Sequence, residues 1–176
     1  GATIVAGNNT NSITVNFSTT AIAGNFTVYG VNACGNGIVS ADFPITVNPL
    51  PDAAGIISGA DTVCQGQNSV AYTVPIIANA TAYNWTLPTG ATIASGANTN
   101  SITVDYALTA TSGNVTVQGT NACGSGIVSA NYAVTVNITP NIVLNYSPSV
   151  CSGATATVSP TNGGGNIVPT GTTYSW

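Results

Sequence analysis

Four cysteines carry most of the chemistry that this sequence could perform: Cys34, Cys64, Cys123 and Cys151. A thiol can form a disulfide or bind a metal ion. A zinc site is disfavoured, because the sequence contains neither a C-x-x-C spacing nor a histidine. Two alternatives therefore remain for the cysteines, a disulfide and reduced, buried thiols.

The acidic side chains form the second candidate group. The only formal charges are those of Asp42, Asp52, Asp61 and Asp105, since Lys, Arg, His and Glu are absent. General acid–base catalysis needs a tuned group beside a partner, and a Ser or Thr nucleophile would have no base here. The aspartates are scattered along the sequence, so the support for a calcium site is also weak. The sequence predicts no enzyme activity, no cofactor and no metal site.

The charge balance excludes further function classes. Without cationic side chains the chain cannot displace counterions from nucleic acid or bind an anionic membrane surface. No apolar run approaches the ~18–20 residues of a membrane helix, so we expect no membrane insertion. At 44% hydrophobic residues the chain is not of the disordered class. Because it begins with a Gly and shows no signal peptide, we expect it to be part of a longer protein.

An internal repeat organises the chain. Adding 89 to a residue number maps residues 1–48 onto residues 90–137 without a gap, with 31 identities at the 48 positions. We therefore predict three parts: the C-terminal part of a module (1–48), a complete module (52–137) and the N-terminal part of a third, different module (141–176). Val150-Cys151-Ser152-Gly153 and Tyr174-Ser175-Trp176 in the third part echo Val63-Cys64-Gln65-Gly66 and Tyr83-Asn84-Trp85.

Two short linkers separate these parts, at residues 49–51 and 138–140. Pro49 and Pro51 in the first linker, and Pro140 in the second, remove backbone donors. They predict extended, semi-rigid connectors between the modules.

The segments between turns alternate apolar and polar residues with a period of two. Ile102, Val104 and Tyr106 share one face of such a segment, and four other groups behave alike: Val70, Tyr72 and Val74; Val115 and Val117; Tyr132, Val134 and Val136; Tyr83, Trp85 and Leu87. This alternation is typical of half-buried strands. With turn residues every ten or so positions, it predicts an all-β fold of tandem antiparallel β-sandwich modules.

The repeat suggests how the cysteines pair. Cys34 is equivalent to Cys123, and Cys151 is equivalent to Cys64, so the complete module contains one cysteine of each type. We predict a Cys64–Cys123 disulfide, with the partners of Cys34 and Cys151 lying outside residues 1–176. Such a bridge closes about 60 residues and would contribute roughly 4 kcal/mol. It would also imply an oxidising, extracytoplasmic location.

Trp85 is the only tryptophan of the complete module, and two uses of its ring are open. An exposed ring would suit carbohydrate binding, whereas a buried ring is common in immunoglobulin-like sandwiches. Because Trp85 shares its face with Tyr83 and Leu87, the sequence favours a core position for Trp85 and Tyr83.

The order of short motifs resembles a known family. V-C-x-G, Y-T-V-P, Y-N-W-T-L-P-x-G-A, T-N-S-I-T-V and N-A-C-G-x-G follow one another as in the PKD-like, immunoglobulin-like repeats of large Bacteroidota surface proteins, such as gliding-motility adhesins of the SprB type. The resemblance covers residues 1–137. It implies an extracellular, cell-surface location and export through type IX secretion. It also implies O-glycosylation at Asp-Thr followed by an apolar residue, which makes Thr62 a candidate.

Three functions are consistent with these features. The first is a non-catalytic structural or adhesive stalk, in a fibre used for gliding motility or surface attachment. The second is an accessory carbohydrate-binding or spacer module of a secreted multidomain enzyme, and the third is a subunit of an extracellular filament. The expected partners are neighbouring modules of the same chain, with surface polysaccharide or other cell-surface proteins as further candidates. The near identity of the first two modules favours the stalk.

Overall fold

The computed structural model describes residues 1–144 and 149–176, so four residues of the predicted third module lie outside the described part. The described residues form strands and no helix, and hence no helix that could cross a membrane. The strands are β1 (Ala2–Ala6), β2 (Thr14–Phe17), β3 (Gly24–Phe26), β4 (Val31–Asn32), β5 (Gly35–Asn36), β6 (Phe43–Ile45), β7 (Ser58–Gly59), β8 (Thr62–Cys64), β9 (Val70–Thr73), β10 (Ala82–Thr86), β11 (Ala91–Ser95), β12 (Ser101–Tyr106), β13 (Gly113–Asn121), β14 (Gly124–Ser125) and β15 (Tyr132–Asn137).

Residues 52–137 build a sandwich of two sheets. One sheet has the order β11-β12-β9-β7, and the other has the order β10-β13-β15-β8 with β14 attached to β13. Every pairing in the two sheets is antiparallel except that of β15 with β8. The predicted all-β, largely antiparallel sandwich is confirmed.

The alternating residues of both sheets meet in one core. Its buried members are Ile57, Val63, Val70, Tyr72, Val74, Trp85, Ile102, Val104, Tyr106, Ala110, Val115, Val117, Val134 and Val136. Trp85 of β10 also donates its indole Nε1–H to the carbonyl of Thr99, in the turn between β11 and β12, at 2.9 Å. This bond ties one sheet to the other and satisfies the polar atom of the ring.

Three tyrosines bring hydroxyl groups into this core. The hydroxyls of Tyr72 and Tyr106 lie 2.8 Å apart, and Tyr72 also donates to the carbonyl of Ala60 at 3.0 Å. Tyr132 packs edge-on against Tyr72 and donates to the carbonyl of Gly59 at 2.6 Å. Each hydroxyl therefore has a partner, as a buried polar group requires.

Burial raises the pKa of both Tyr72 and Tyr106, and the hydrogen bond between their hydroxyls raises the pKa of Tyr72 further while it partly offsets the rise at Tyr106. Ionisation is thus easier in the unfolded chain, where the tyrosine pKa is about 10. We predict that this contribution to the free energy of unfolding is intact below about pH 10 and is lost as the pH rises towards the folded-state values.

Urea unfolding at pH 8 to 12, followed by circular dichroism, measures this dependence. Tyr72→Phe should lower the stability at pH 8 by about 1–3 kcal/mol, because the hydroxyl of Tyr106 loses its partner. The variant should also show a shallower loss of stability above about pH 10. An equal slope in both proteins would refute the role of the tyrosine pair.

Residues 1–48 repeat the local structure of residues 90–137 but not its burial. The hairpin β1–β2 matches β11–β12, and its turn again places an Asn in the left-handed region, Asn9 at φ 65° and Asn98 at φ 66°. In the complete module, strands from residues 52–89 extend both sheets: β9 and β7 lie beside β12, and β10 and β8 flank β13 and β15. Without counterparts of those strands, apolar side chains of the first unit are exposed, including Ile13, Phe17, Val28 and Phe43.

The described part of residues 141–176 contains only isolated bridges. Asn141 pairs with Ile167, and Gly163 pairs with Asn166 within the glycine-rich insert. Trp176, the predicted counterpart of Trp85, is 78% exposed. This segment therefore has no core comparable to that of the complete module.

Candidate functional site

Cys64 and Cys123 lie at opposite ends of the sandwich. Cys64 pairs with Asn137 at the end of β15, and the neighbouring Gln65 donates from Nε2 to the carbonyl of Ala110 just before β13 begins. Cys123 follows the far end of β13. At about 3.3 Å per residue, the length of β13 separates the two thiols by roughly 27 Å.

The predicted Cys64–Cys123 disulfide is therefore wrong for a single module. A disulfide requires Cα atoms within about 7 Å, and the structure leaves all four cysteines as free, exposed thiols. The alternative of buried, reduced thiols is also incorrect, because the side chains are exposed. Repeat equivalence identified which cysteines correspond, but only the strand register shows where each one lies.

Cys123 occupies the tip of a tight hairpin. Asn121 pairs with Gly124 across a two-residue loop, and the N–H of Cys123 donates to Oδ1 of Asn121 at 2.8 Å. Cys34 repeats the arrangement with a 2.8 Å bond from its N–H to Asn32 Oδ1. The following glycine adopts a positive φ in both copies, 138° at Gly124 in the complete module, which is a conformation that glycine tolerates best.

The first linker docks beside this hairpin. Nδ2 of Asn121 donates to the carbonyls of both Pro49 and Asn79 at 2.9 Å, and the N–H of Asp52 donates to the carbonyl of Ala78 at 3.0 Å. Pro51 is buried. The thiol of Cys123 lies 3.5 Å from the carbonyl oxygen of Asn48, the last residue of the first unit.

Three glycines make room for the linker. A Cβ added at Gly126 would meet the carbonyl oxygen of Pro51 at 2.6 Å, and one at Gly119 would meet the Pro51 ring at 3.1 Å. A Cβ at Gly124 would lie 3.2 Å from Leu50. The apolar alternation does not reveal this contact surface, although the G-T-N-A-C-G-S-G spacing carries a signal, since glycine often marks close backbone approach.

The same groove is open in the first unit. A cavity of about 420 Å³ lies beside Cys34 and is lined by Gly30, Val31, Asn32, Cys34, Gly35, Asn36 and Gly37. The equivalent residues of the complete module are those that hold the linker. Cys34 therefore lies on a copy of the hairpin that contacts the linker in the complete module.

The chain leaves the complete module at its other end. The N–H of Gln65 donates to the carbonyl of Asn137 at 2.9 Å, and the hydroxyl of Thr139 in the second linker donates to the carbonyl of Gln65 at 2.9 Å. The two linkers are therefore attached at opposite ends of β13.

The remaining predicted site residues have separate positions. Trp85 is buried, and Tyr83 is partly buried with its hydroxyl accepting from the N–H of Ile77 at 3.0 Å. Thr62, the glycosylation candidate, is exposed on the edge strand β8. Cys151 is exposed. Within the described residues, no cluster of three or more His, Cys, Asp or Glu side chains could hold a metal ion.

The family is decided by comparison with protein-family models. The model of the PKD-like domain matches residues 1–45 and 50–134, which is most of the chain. The chain belongs to the PKD-like domain family. PKD-like domains are β-sandwich modules that are generally non-catalytic and typically extracellular or surface-located. A search of curated proteins gives no match.

The two matched stretches leave out residues 46–49 and resume at Leu50, within the linker. Each copy of the PKD-like module therefore contains the hairpin that has the cysteine at its tip. The contacts described above join one such copy to the end of the copy before it. The site that these contacts define is a junction between modules.

Proposed function

We propose that this chain is a stalk segment of a large, repetitive extracellular surface protein, in which PKD-like modules joined end to end hold a binding tip away from the cell. One observation carries the proposal: the chain enters the complete module at one end of β13 and leaves at the other. Modules joined in this way add length along one direction.

The docked linker supports a stiff junction. Pro49 and Pro51 have restricted backbones, and the hydrogen bond from Asn121 to the carbonyl of Pro49 holds the linker against the module. Gly119, Gly124 and Gly126 allow close contact that larger residues would prevent. A linker fixed to the following module transmits force and orientation better than a free one.

Composition supports a structural role as well. The chain has a formal net charge of −4 and no cations, so electrostatic repulsion between successive modules is small and depends little on salt. None of the aromatic rings in the complete module is exposed, and the stacking surface that a carbohydrate-binding module would use is therefore missing from it. We place polysaccharide or protein ligands at the tip of the parent protein, outside these modules.

The parent protein, in this proposal, is an adhesin of the Bacteroidota type that serves gliding motility or surface attachment and is exported by type IX secretion. The support for these finer points is the order of motifs along residues 1–137. The neighbouring modules of the same chain are the direct partners of the stalk.

Small-angle scattering tests the stalk directly. Residues 49–137 contain one linker and one complete module, so joining copies of this segment reproduces the junction Asn48–Pro49 as Asn137–Pro49. We expect the maximum dimension to grow by roughly 30–40 Å per copy in chains of two and four copies. A compact particle, whose maximum dimension grows much less from two copies to four, would contradict the stalk.

A further inference from the structure

We propose that the cysteines link consecutive modules: the Cys64-type thiol of one module forms a disulfide with the Cys123-type thiol of the module that follows it. The proposal relies on the serial arrangement of modules in the proposed function. Its test detects a covalent bond and does not depend on whether a long chain of modules is straight or compact.

The first half of the junction is visible at Cys123. Its thiol reaches back to the unit before it and donates to the carbonyl of Asn48 at 3.5 Å. The hairpin tip holds the thiol at the surface, and the bound linker keeps Asn48 beside it. Cys123 thus points at the last residue of the preceding unit.

The second half is visible at the other end of the complete module. Asn137, the equivalent of Asn48, pairs with Cys64 between the parallel strands β15 and β8. Neighbouring strands lie about 4.8 Å apart. Along β8, Val63 faces the core and Cys64 faces outwards, so the thiol is directed away from its own module.

Asn48 and Asn137 are equivalent residues, so the contacts at the two ends of the module can be combined at one position. The carbonyl of Asn137 accepts from the N–H of Gln65, the residue after Cys64, whereas the carbonyl of Asn48 contacts the thiol of Cys123. In a complete preceding module, one Asn carbonyl would therefore lie next to both cysteines. This proximity suits the Cα separation of up to about 7 Å that a disulfide allows.

The groove beside Cys34 belongs to a repeat of the Cys123 hairpin, which indicates that the junction recurs. Its glycines correspond to those that contact the linker in the complete module, and its hairpin presents Cys34 as Cys123 is presented. We assign this groove to the linker of a module that precedes residues 1–48, with Cys34 bonded to that module's Cys64-type cysteine.

The bond forms by oxidation of two thiols. Together they release two protons and two electrons as the S–S bond forms, and a disulfide oxidant such as oxidised glutathione or a disulfide oxidoreductase accepts them and becomes two thiols. An extracellular location, which is typical of PKD-like domains, allows such a bond to persist.

The experiment adds residues 52–89 in front of Gly1. Because residues 90–137 align with 1–48 without a gap, this addition completes the first module and places a copy of Cys64 before Cys123. After oxidation with the glutathione couple, peptic digestion at acidic pH and mass spectrometry should find the added cysteine linked to Cys123. Cys34, Cys64 and Cys151 should stay unlinked.

Two matched variants locate the partner. Cys123→Ser should abolish the link and free the added thiol, whereas Cys34→Ser should leave the link unchanged. A link from the added cysteine to Cys34 would overturn the proposal in favour of pairing within a module. Free or glutathione-capped thiols at both positions would also overturn it.

Two joined copies of residues 49–137 provide a second test protein, in which both modules are complete. Each copy contains all the strands and the core of the sandwich, so the result does not depend on folding of the added segment. Cys64 of the first copy should link to Cys123 of the second. A chain that is folded by circular dichroism but lacks this link would overturn the proposal.

Discussion

Adding residues 52–89 in front of Gly1 is expected to turn residues 1–48 from a protease-sensitive segment into a protease-resistant module. The added residues supply the counterparts of strands β7 to β10, which extend both sheets beside the strands of residues 90–137. The addition changes none of the 176 residues that follow it, so any gain in protection arises from these strands.

The expected effect is large because several core positions change their surroundings together. Three side chains of the first unit are 44–67% exposed, whereas their equivalents are 1% exposed: Ile13, Phe17 and Val28 against Ile102, Tyr106 and Val117. Burying an apolar side chain of this size contributes about 1.5–3 kcal/mol. A few such side chains are comparable with the whole stability of a small domain.

Thermolysin digestion followed by mass spectrometry measures this gain. Sites within residues 1–48 should be cut at least tenfold more slowly in the extended chain, because local opening becomes rare. A chain that carries a scrambled version of residues 52–89 is the control and should be cut like the original. Equal cleavage rates in all three chains would refute the equivalence of the two units.

Trp85→Ala is expected to be the most damaging single substitution in the complete module. The ring is 8% exposed, lies between the sheets and bonds to the carbonyl of Thr99. Removing a buried tryptophan costs about 3–5 kcal/mol. For a module of this size we expect the melting temperature to fall by at least 10 °C.

Trp176→Ala is the matched control. Trp176 is 78% exposed, so its removal should change the stability by less than about 0.5 kcal/mol. Circular dichroism is the suitable measurement, because each variant loses one of the two fluorescent tryptophans. Similar destabilisation by both substitutions would contradict the assignment of the core.

The alternation of apolar residues was sufficient to predict the core. The period of two places Ile102, Val104 and Tyr106 on one face of a strand, and all three side chains are buried in the structure. This inference succeeds because side chains in a strand alternate between its two faces, so that a sequence of six residues already defines the buried face.

The position of the cysteines required the pairing of strands. Cys64 and Cys123 are 59 residues apart in sequence, a separation that carries no information on spatial distance. The parallel pairing of β8 with β15 places Cys64 at one end of the sandwich. Because β13 is antiparallel to β15, Cys123, which follows β13, lies at the opposite end. Such long-range pairing depends on the whole fold.

The docking of the first linker was likewise not evident from its own residues. Pro49 and Pro51 predicted an extended connector, and they do restrict the backbone, but the groove that receives them is formed by residues about 70 positions later. The glycines of that groove occur in both repeats, at positions 30, 35 and 37 in the first and at positions 119, 124 and 126 in the second. Only the structure shows what lies against them.

The central claim is that the linker fixes each module to the next, end to end. Small-angle scattering of four joined copies of residues 49–137 tests it most directly with two variants. Asn121→Ala removes the bond to the linker at Pro49, together with the bonds to Asn79 and Cys123, and the exposed Asn68→Ala is the control. The unmodified chain and Asn68→Ala should scatter as rods of equal length, and Asn121→Ala should give a smaller radius of gyration from bending at the junctions. Identical curves for all three chains, or a compact unmodified chain, would contradict the claim.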